Sequence, residues 1–307
     1  MGDDRRNFLK GVAGMMGTFS PLGLTSQAAQ PLGLASTEPE GKRRIRDKLW
    51  IWSLEAGMYN DAPWVPGSSR ITPAEAAFYL GVPNVCMVTY KTECKLRPSP
   101  PYDQYAIALL ALNQVIWALG GAQRQDIKAW LHDILQLSQK YPNIIGIQMD
   151  DFYKGTLDGG EIGSLTPREL AYVQKQLKTN EHKLDLWLTL YHHDLKYDLS
   201  ESLAEFDVVT YWTWDAEDLE TLEQGFVQAE KAAPHARKVL GCYMWDFGAK
   251  KLMPIALMQR QCELGHSWLR NGRIDGIIFG ISNLCDLNLE AVQWTRSWIH
   301  KVGDEPL

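Results

Sequence analysis

Two adjacent aspartates, Asp150 and Asp151, follow the apolar run Asn143–Met149. Alternate side chains of a strand point to opposite faces, so the apolar face that includes Ile147 leaves Gln148 and Asp150 on the other face. A carboxylate that points into a folded core loses its hydration, which a purely structural role rarely requires. The pattern predicts that Asp150 is catalytic and that Gln148 contacts the substrate. Asp151 is either a second catalytic candidate or the cap of the following loop.

Aromatic and polar residues cluster where the other apolar runs end. Tryptophan faces stack on the apolar faces of sugar rings, while nearby carboxylates and amides bind the hydroxyl groups. Seven of the 12 tryptophans fall on these runs or at their ends. Core packing explains one or two of them, because each buried indole needs a partner for its N–H. The further substrate-binding candidates are Trp52, Glu55, Tyr90, Trp117, Tyr191, His193, Tyr211, Trp212, Trp214, Tyr243 and Trp245.

Two more aspartates, Asp215 and Asp246, follow the sixth and seventh runs. The sixth run has two possible phases. In one phase Tyr211 and Asp215 face inward, and in the other Trp212 faces inward instead. Any catalytic role of Asp215 therefore depends on the phase of this run.

Eight short apolar runs, each followed by a helical stretch, position these residues. This rhythm predicts an α/β fold, a single-domain (β/α)8 TIM barrel over residues 48–302. Barrels of this kind place their active sites at the carboxyl ends of the strands. The runs are Lys48–Leu54, Val82–Tyr90, Gln114–Leu119, Asn143–Met149, Leu184–Tyr191, Phe206–Trp212, Lys238–Met244 and Ile274–Ile281.

Two helix starts support the barrel. Thr72 and Thr166 each precede a proline and stand three residues before Glu75 and Glu169, the signature of a capping box. An open doubly wound sheet would carry a glycine-rich phosphate-binding turn after its first strand. The segment that starts at Trp52 reads Trp-Ser-Leu-Glu-Ala-Gly, which does not fit such a turn.

Aspartates after strands 4, 6 and 7, together with aromatic strand ends, resemble the (β/α)8 glycoside hydrolases over residues 48–300. Chitinase-like barrels carry Asp-x-Asp-x-Glu on strand 4; Asp150 matches the middle Asp, but Phe152 stands in place of the acid-donating Glu. α-Galactosidase-like barrels end strand 4 with Lys-x-Asp and carry an acid/base Asp after strand 6. Asp150 and Asp215 match those places, with Gln148 in place of the Lys. The β-glycosidase pattern, Glu after strands 4 and 7, is not met.

The resemblance implies an enzyme that hydrolyses an oligo- or polysaccharide. Such chemistry needs one carboxylic acid to protonate the leaving oxygen and one carboxylate as nucleophile or base. We expect Asp150 to be the nucleophile and Asp215 the acid/base, with Asp151 and Asp246 as substitutes. A carbohydrate is the expected partner.

Two other functions fit parts of the pattern. A non-catalytic sugar-binding barrel would retain the tryptophans without a working acid pair. A metal-dependent hydrolase is suggested by Asp150, Asp151, His192, His193 and Asp194. However, adjacent histidines on an extended strand point to opposite faces and do not readily bind one metal ion. None of the five cysteines lies at a CxxC spacing, so we expect neither a metal nor a cofactor.

The N-terminus resembles a twin-arginine export signal. Arg5–Lys10 reads Arg-Arg-Asn-Phe-Leu-Lys and precedes a mildly apolar stretch, and Ser26–Ala28 offers small residues for cleavage. The resemblance implies a signal peptide over residues 1–28 and a periplasmic or secreted protein. A linker at 29–47, the barrel at 48–302 and a tail at 303–307 complete the predicted organisation.

The charge balance excludes several partners. The chain has 31 basic and 37 acidic residues, a net charge of −6. Such a chain is a poor partner for nucleic acid or an anionic membrane surface. No run beyond the signal approaches the ~20 apolar residues that span a bilayer, so no membrane integration is expected after the signal is removed.

Overall fold

Eight parallel strands form a closed barrel in the computed structural model, which describes residues 43–60, 62–88, 102–119, 127–154 and 162–307. Each barrel strand pairs with the next one along the chain, and the last closes the barrel against the first. The predicted (β/α)8 fold is confirmed, since each of the eight predicted runs overlaps one of these strands. They are β1 (Leu49–Ser53), β2 (Asn84–Met87), β3 (Gln114–Ala118), β4 (Ile144–Met149), β5 (Asp185–Tyr191), β6 (Val208–Trp212), β7 (Arg237–Tyr243) and β10 (Gly276–Gly280), while β8 (Trp245–Asp246) and β9 (Lys251–Leu252) form a small antiparallel ribbon.

Within the described ranges, a helix follows every barrel strand. The two predicted capping boxes are present: Thr72 and Thr166 accept hydrogen bonds from the backbone N–H groups of Glu75 and Glu169, both at 3.3 Å. No helix of the described chain is long and apolar enough to cross a bilayer. The helices are α1 (Pro73–Leu80), α2 (Tyr102–Ala108), α3 (Ile127–Lys140), α4 (Pro167–Thr179), α5 (Ser200–Leu203), α6 (Leu222–Ala232), α7 (Ile255–Arg270) and α8 (Glu290–Val302).

The segment before β1 is hydrogen-bonded to the C-terminal residues. The backbone N–H of Leu307 donates to the carbonyl of Arg43 at 2.7 Å, and that of Ile45 donates to the carbonyl of Glu305 at 3.0 Å. A 3₁₀ turn spans Ile45–Lys48. The residues expected to form the end of a linker and a tail are thus part of the folded barrel.

Large indole rings fill the barrel lumen. Trp50 on β1 meets Trp187 on β5, which lies on the opposite side of the barrel, with ring centroids 5.2 Å apart. Trp52, also on β1, meets Trp212 on β6 at the same distance. The indole N–H of Trp212 donates to Thr210 Oγ1 at 2.9 Å, so this buried polar group is satisfied inside the barrel.

Glycines on neighbouring strands make room for these rings. A Cβ at Gly241 would lie 2.1 Å from the Trp212 ring, and one at Gly280 would lie 3.0 Å from it. A Cβ at Gly146 would lie 3.1 Å from Trp187 Nε1. Any larger residue at Gly241 would displace the indole, because protein interiors are close-packed.

We predict that Gly241→Ala destabilises the protein by about 1–3 kcal/mol, the usual effect of overpacking a core. Urea unfolding followed by tryptophan fluorescence measures this change. Gly67→Ala is the matched control, because a Cβ there would meet the Leu287 side chain at an ordinary 3.5 Å. Equal unfolding free energies for the two variants would show that Trp212 is not held against Gly241.

Candidate active site

A cavity of ≈ 460 Å³ opens at the carboxyl ends of the barrel strands, a volume typical of small-molecule sites. Its walls come from the loop after β1, the segments after β4, β6 and β10, the ends of β5 and β7, and the turn between β8 and β9. Most of the lining is aromatic. The lining residues are Trp52, Leu54, Tyr59, Trp64, Asp151, Tyr191, Trp214, Tyr243, Phe247, Gly248, Lys250 and Ile281.

One side of the cavity is a continuous set of packed rings, here called the aromatic wall: Tyr59, Trp64, Trp214, Tyr243 and Phe247. Phe247 lies at its centre, with ring centroids 4.8 Å from Tyr243, 5.3 Å from Trp214 and 6.0 Å from Trp64. Tyr59 packs on Trp64 at 4.6 Å. These contacts hold the rings in place, so a ligand that stacks on them has little side-chain freedom to remove.

Three members of the aromatic wall, Tyr59, Trp64 and Phe247, were not among the residues predicted from the sequence. They lie on loops, where strand periodicity carries no information. The sequence did single out the neighbouring Trp245, which does not itself line the cavity. Its indole N–H donates to the carbonyl of Trp64 at 3.2 Å, so it fixes the loop that carries Trp64, while Phe247, two residues later, lines the cavity.

Asp151 lines the cavity, and Tyr191 orients its carboxylate. The Tyr191 hydroxyl donates to Asp151 Oδ1 at 3.1 Å, and the Tyr191 backbone N–H donates to Asp194 Oδ2 at 2.9 Å. His193 stacks on the Tyr191 ring with centroids 5.2 Å apart and planes 4° from parallel. The carboxylate is therefore presented to the cavity in a set orientation.

Asp150 directly follows β4, is 3 % exposed, and lies on the lumen-facing side of the strand. It shares this face with Gln148, whose Nε2 donates to Thr189 Oγ1 at 2.8 Å. Burial raises the pKa of the Tyr243 phenol well above its usual value, and the charges of Asp150 and Asp151 raise it further.

The pKa of Tyr59 is raised by the same causes in the same order, burial first, then Asp150, then Asp151. The two aspartates thus act on the same two phenols of the aromatic wall, Tyr59 in the loop after β1 and Tyr243 at the end of β7. A phenol with a raised pKa keeps its proton and remains a hydrogen-bond donor to a ligand.

The phase of β6 places Trp212 and Trp214 towards the lumen and the cavity. Tyr211 points the other way, because its hydroxyl hydrogen-bonds to His192 Nδ1 at 2.7 Å and its ring packs against helix α6. Asp215 belongs to the alternate set with Tyr211. It is exposed and is not one of the residues that line the cavity.

Asp246 is buried and braces two turns. Its Oδ1 accepts hydrogen bonds from the backbone N–H groups of Ala216, at 3.3 Å, and Ala249, at 3.1 Å. Its Oδ2 lies 3.8 Å from Lys251 Nζ. These contacts shape the turn that carries Phe247 and place Asp246 behind the cavity rather than in its wall.

Three other predicted substrate contacts lie away from the cavity lining or outside the described chain. Trp117 pairs in register with Ile147, so it faces the helix layer and not the lumen. Glu55 accepts a hydrogen bond from the Tyr105 hydroxyl at 3.0 Å and does not line the cavity. Tyr90 lies outside the described residues.

The histidines after β5 point to different surroundings. His192 packs between Tyr211 and helix α6, whereas His193 stacks on Tyr191. In the described ranges, no group of three or more His, Cys, Asp and Glu side chains is arranged to hold a metal ion.

The sequence matches no protein-family model and no curated protein. Solved structures do match. A plant class V chitinase mutant from Cycas revoluta, in complex with (GlcNAc)3, superposes with a TM-score of 0.52 at 10 % identity, over 81 % of this chain and 99 % of that one. The GH99 endo-α-mannosidase from Bacteroides thetaiotaomicron superposes with a TM-score of 0.51 at 9 % identity, over 83 % and 97 %.

An Anoxybacillus α-amylase gives a TM-score of 0.50 at 11 % identity, over 85 % of this chain and 79 % of that one. The chain shares the (β/α)8 fold of glycoside hydrolases. Since identities this low show a common fold alone, function has to be argued from the cavity.

Proposed function

We propose that the protein is an exported glycoside hydrolase that acts on an oligo- or polysaccharide with a pair of carboxylates. The observation that carries the proposal is the position of Asp151 in the wall of an aromatic-lined cavity at the carboxyl ends of the barrel strands, with the buried Asp150 next to it in the chain. This is the end of the barrel at which (β/α)8 enzymes do their chemistry.

The aromatic wall supports sugar binding. A pyranose ring has an apolar face that stacks on an indole or phenyl ring, and Trp214 and Phe247 offer such faces to the cavity. The hydroxyls of a sugar need hydrogen-bond partners at the edges of the same ring. The protonated phenols of Tyr59 and Tyr243 and the carboxylate of Asp151 supply donors and an acceptor there.

Asp151 is the proposed acid/base. It lines the cavity and is partly exposed, so it can exchange its proton with water between turnovers, and Tyr191 fixes its orientation. Asp150, buried at the lumen-facing end of the same strand, is the proposed nucleophile or stabiliser of the positive charge that develops at the anomeric carbon. Asp151 thereby takes the role that the sequence suggested for the exposed Asp215.

Substitution of each carboxylate tests these roles. We predict that Asp150→Asn and Asp151→Asn each lower kcat by at least ~10²-fold, the scale of a general acid/base contribution. Asp215→Asn is the matched control and is expected to keep near-wild-type turnover with an unchanged unfolding temperature. Initial rates on a panel of aryl glycosides and oligosaccharides, with and without EDTA, measure the effect.

Loss of activity in Asp215→Asn with retention in Asp151→Asn would return the acid/base role to the loop after β6. A wild-type protein that binds glycans but cleaves none of them would favour the non-catalytic sugar-binding barrel, because the aromatic wall alone suffices for binding.

We also propose that the N-terminal segment directs export by the twin-arginine route. The support is the Arg-Arg-Asn-Phe-Leu-Lys sequence of Arg5–Lys10 ahead of an apolar stretch. The double change Arg5→Lys and Arg6→Lys is expected to leave the protein in the cytoplasm in a cell-fractionation assay. The same change at Arg43 and Arg44 is the control and should leave export intact; export of both variants would refute the proposal.

A further inference from the structure

Lys250 places a positive charge in the cavity wall that forms no ion pair with the described residues. Lys250 and Asp151 are the charged residues among those that line the cavity. Asp151 accepts a hydrogen bond from Tyr191, whereas Lys250 forms no hydrogen bond, ion pair or ring contact within the described part of the chain. The ammonium group of the next residue, Lys251, instead pairs with the Asp246 carboxylate at 3.8 Å.

Backbone strain also singles out Lys250. Four non-glycine residues of the described chain have a left-handed backbone: Tyr59 (φ 64°), Asp151 (φ 52°), Lys250 (φ 53°) and Asn288 (φ 57°). The first three all line the cavity. Non-glycine residues adopt this conformation at a cost in stability, and such residues gather at functional sites where the surrounding structure enforces them.

Two hydrogen bonds hold the turn that carries Lys250. Asp246 accepts the backbone N–H of Ala249 at 3.1 Å, and the backbone N–H of Gly248 donates to the carbonyl of Trp214 at 3.2 Å. These bonds tie the turn to the residue whose indole forms part of the aromatic wall. The base of the Lys250 side chain is therefore positioned relative to the stacking surface.

We propose that Lys250 binds the carboxylate of an acidic sugar, so that the cavity selects glycans that contain uronic acid residues. This inference rests on the glycoside hydrolase function proposed above and names its substrate class. A neutral sugar needs only ring faces and hydrogen-bonding groups, which the aromatic wall and Asp151 already provide. An ammonium group gains most from a ligand that carries an opposite charge, because charge-assisted hydrogen bonds are about twice as strong as neutral ones.

Binding of matched glycan pairs to three variants tests this assignment. The ligands are galacturonate oligomers, alginate oligomers and glucuronate-bearing xylan oligomers, each paired with its carboxyl-reduced form, which keeps the rings and linkages and removes the charge. Titration of tryptophan fluorescence reads binding directly, since Trp52, Trp64 and Trp214 line the cavity. The variants are Lys250→Met, which keeps most of the length of the side chain, Lys250→Arg, which keeps the charge, and Lys231→Met, which removes an exposed charge from helix α6.

The wild type is expected to bind at least one acidic oligomer about two- to fivefold more tightly than its reduced form, the effect of one ion pair at an exposed side chain. Lys250→Met should abolish this preference, Lys250→Arg should restore most of it, and Lys231→Met should leave it unchanged. The preference should also weaken as salt is added.

Equal affinities for acidic and reduced oligomers in the wild type would overturn the role of Lys250 and leave the hydrolase proposal standing. A preference that survives in Lys250→Met would also overturn it. Binding of no glycan, acidic or neutral, would overturn the hydrolase proposal as well.

Discussion

The packing of large indoles against glycines in the barrel lumen is the constraint on which the rest of the structure depends. Trp52 and Trp212 meet across the lumen directly beneath the cavity, and the space for Trp212 exists because Gly241 and Gly280 carry no side chain. The pair closes the interior and forms a rigid floor on which Tyr243 packs, with ring centroids 4.6 Å from Trp212. The aromatic wall is thus an extension of the core into the cavity.

A few charged side chains lie next to these packed aromatic rings. Asp150 and Asp151 both follow β4. The Tyr191 hydroxyl donates a hydrogen bond to Asp151, and the charges of both aspartates raise the pKa of Tyr59 and Tyr243. In a largely apolar setting these interactions are stronger than they would be in water.

The sequence predicts the fold well because strand alternation and helix capping are local signals, as the capping boxes at Thr72 and Thr166 show. Strand alternation likewise predicts that Trp52 lies at the cavity and that Asp150 is buried after β4. It does not settle β6, where both faces are buried and aromatic, so Tyr211 and Trp212 look alike. The sequence does not predict the loop residues Tyr59, Trp64 and Phe247, because only the folded loops bring them together. The wrong prediction for Trp117 has another cause: its large side chain packs against the helix layer.

A crystal structure of the Asp151→Asn variant with a bound oligosaccharide tests the central claim most directly, because this change leaves the aromatic wall and Asp150 intact. We expect one sugar ring stacked on the aromatic wall, its glycosidic oxygen within hydrogen-bond distance of the side chain at position 151, and the Asp150 carboxylate facing the anomeric carbon. A sugar bound in this cavity with its glycosidic bond beside Asp215, or bound only elsewhere on the barrel, would contradict the assignment of Asp150 and Asp151 as the working pair.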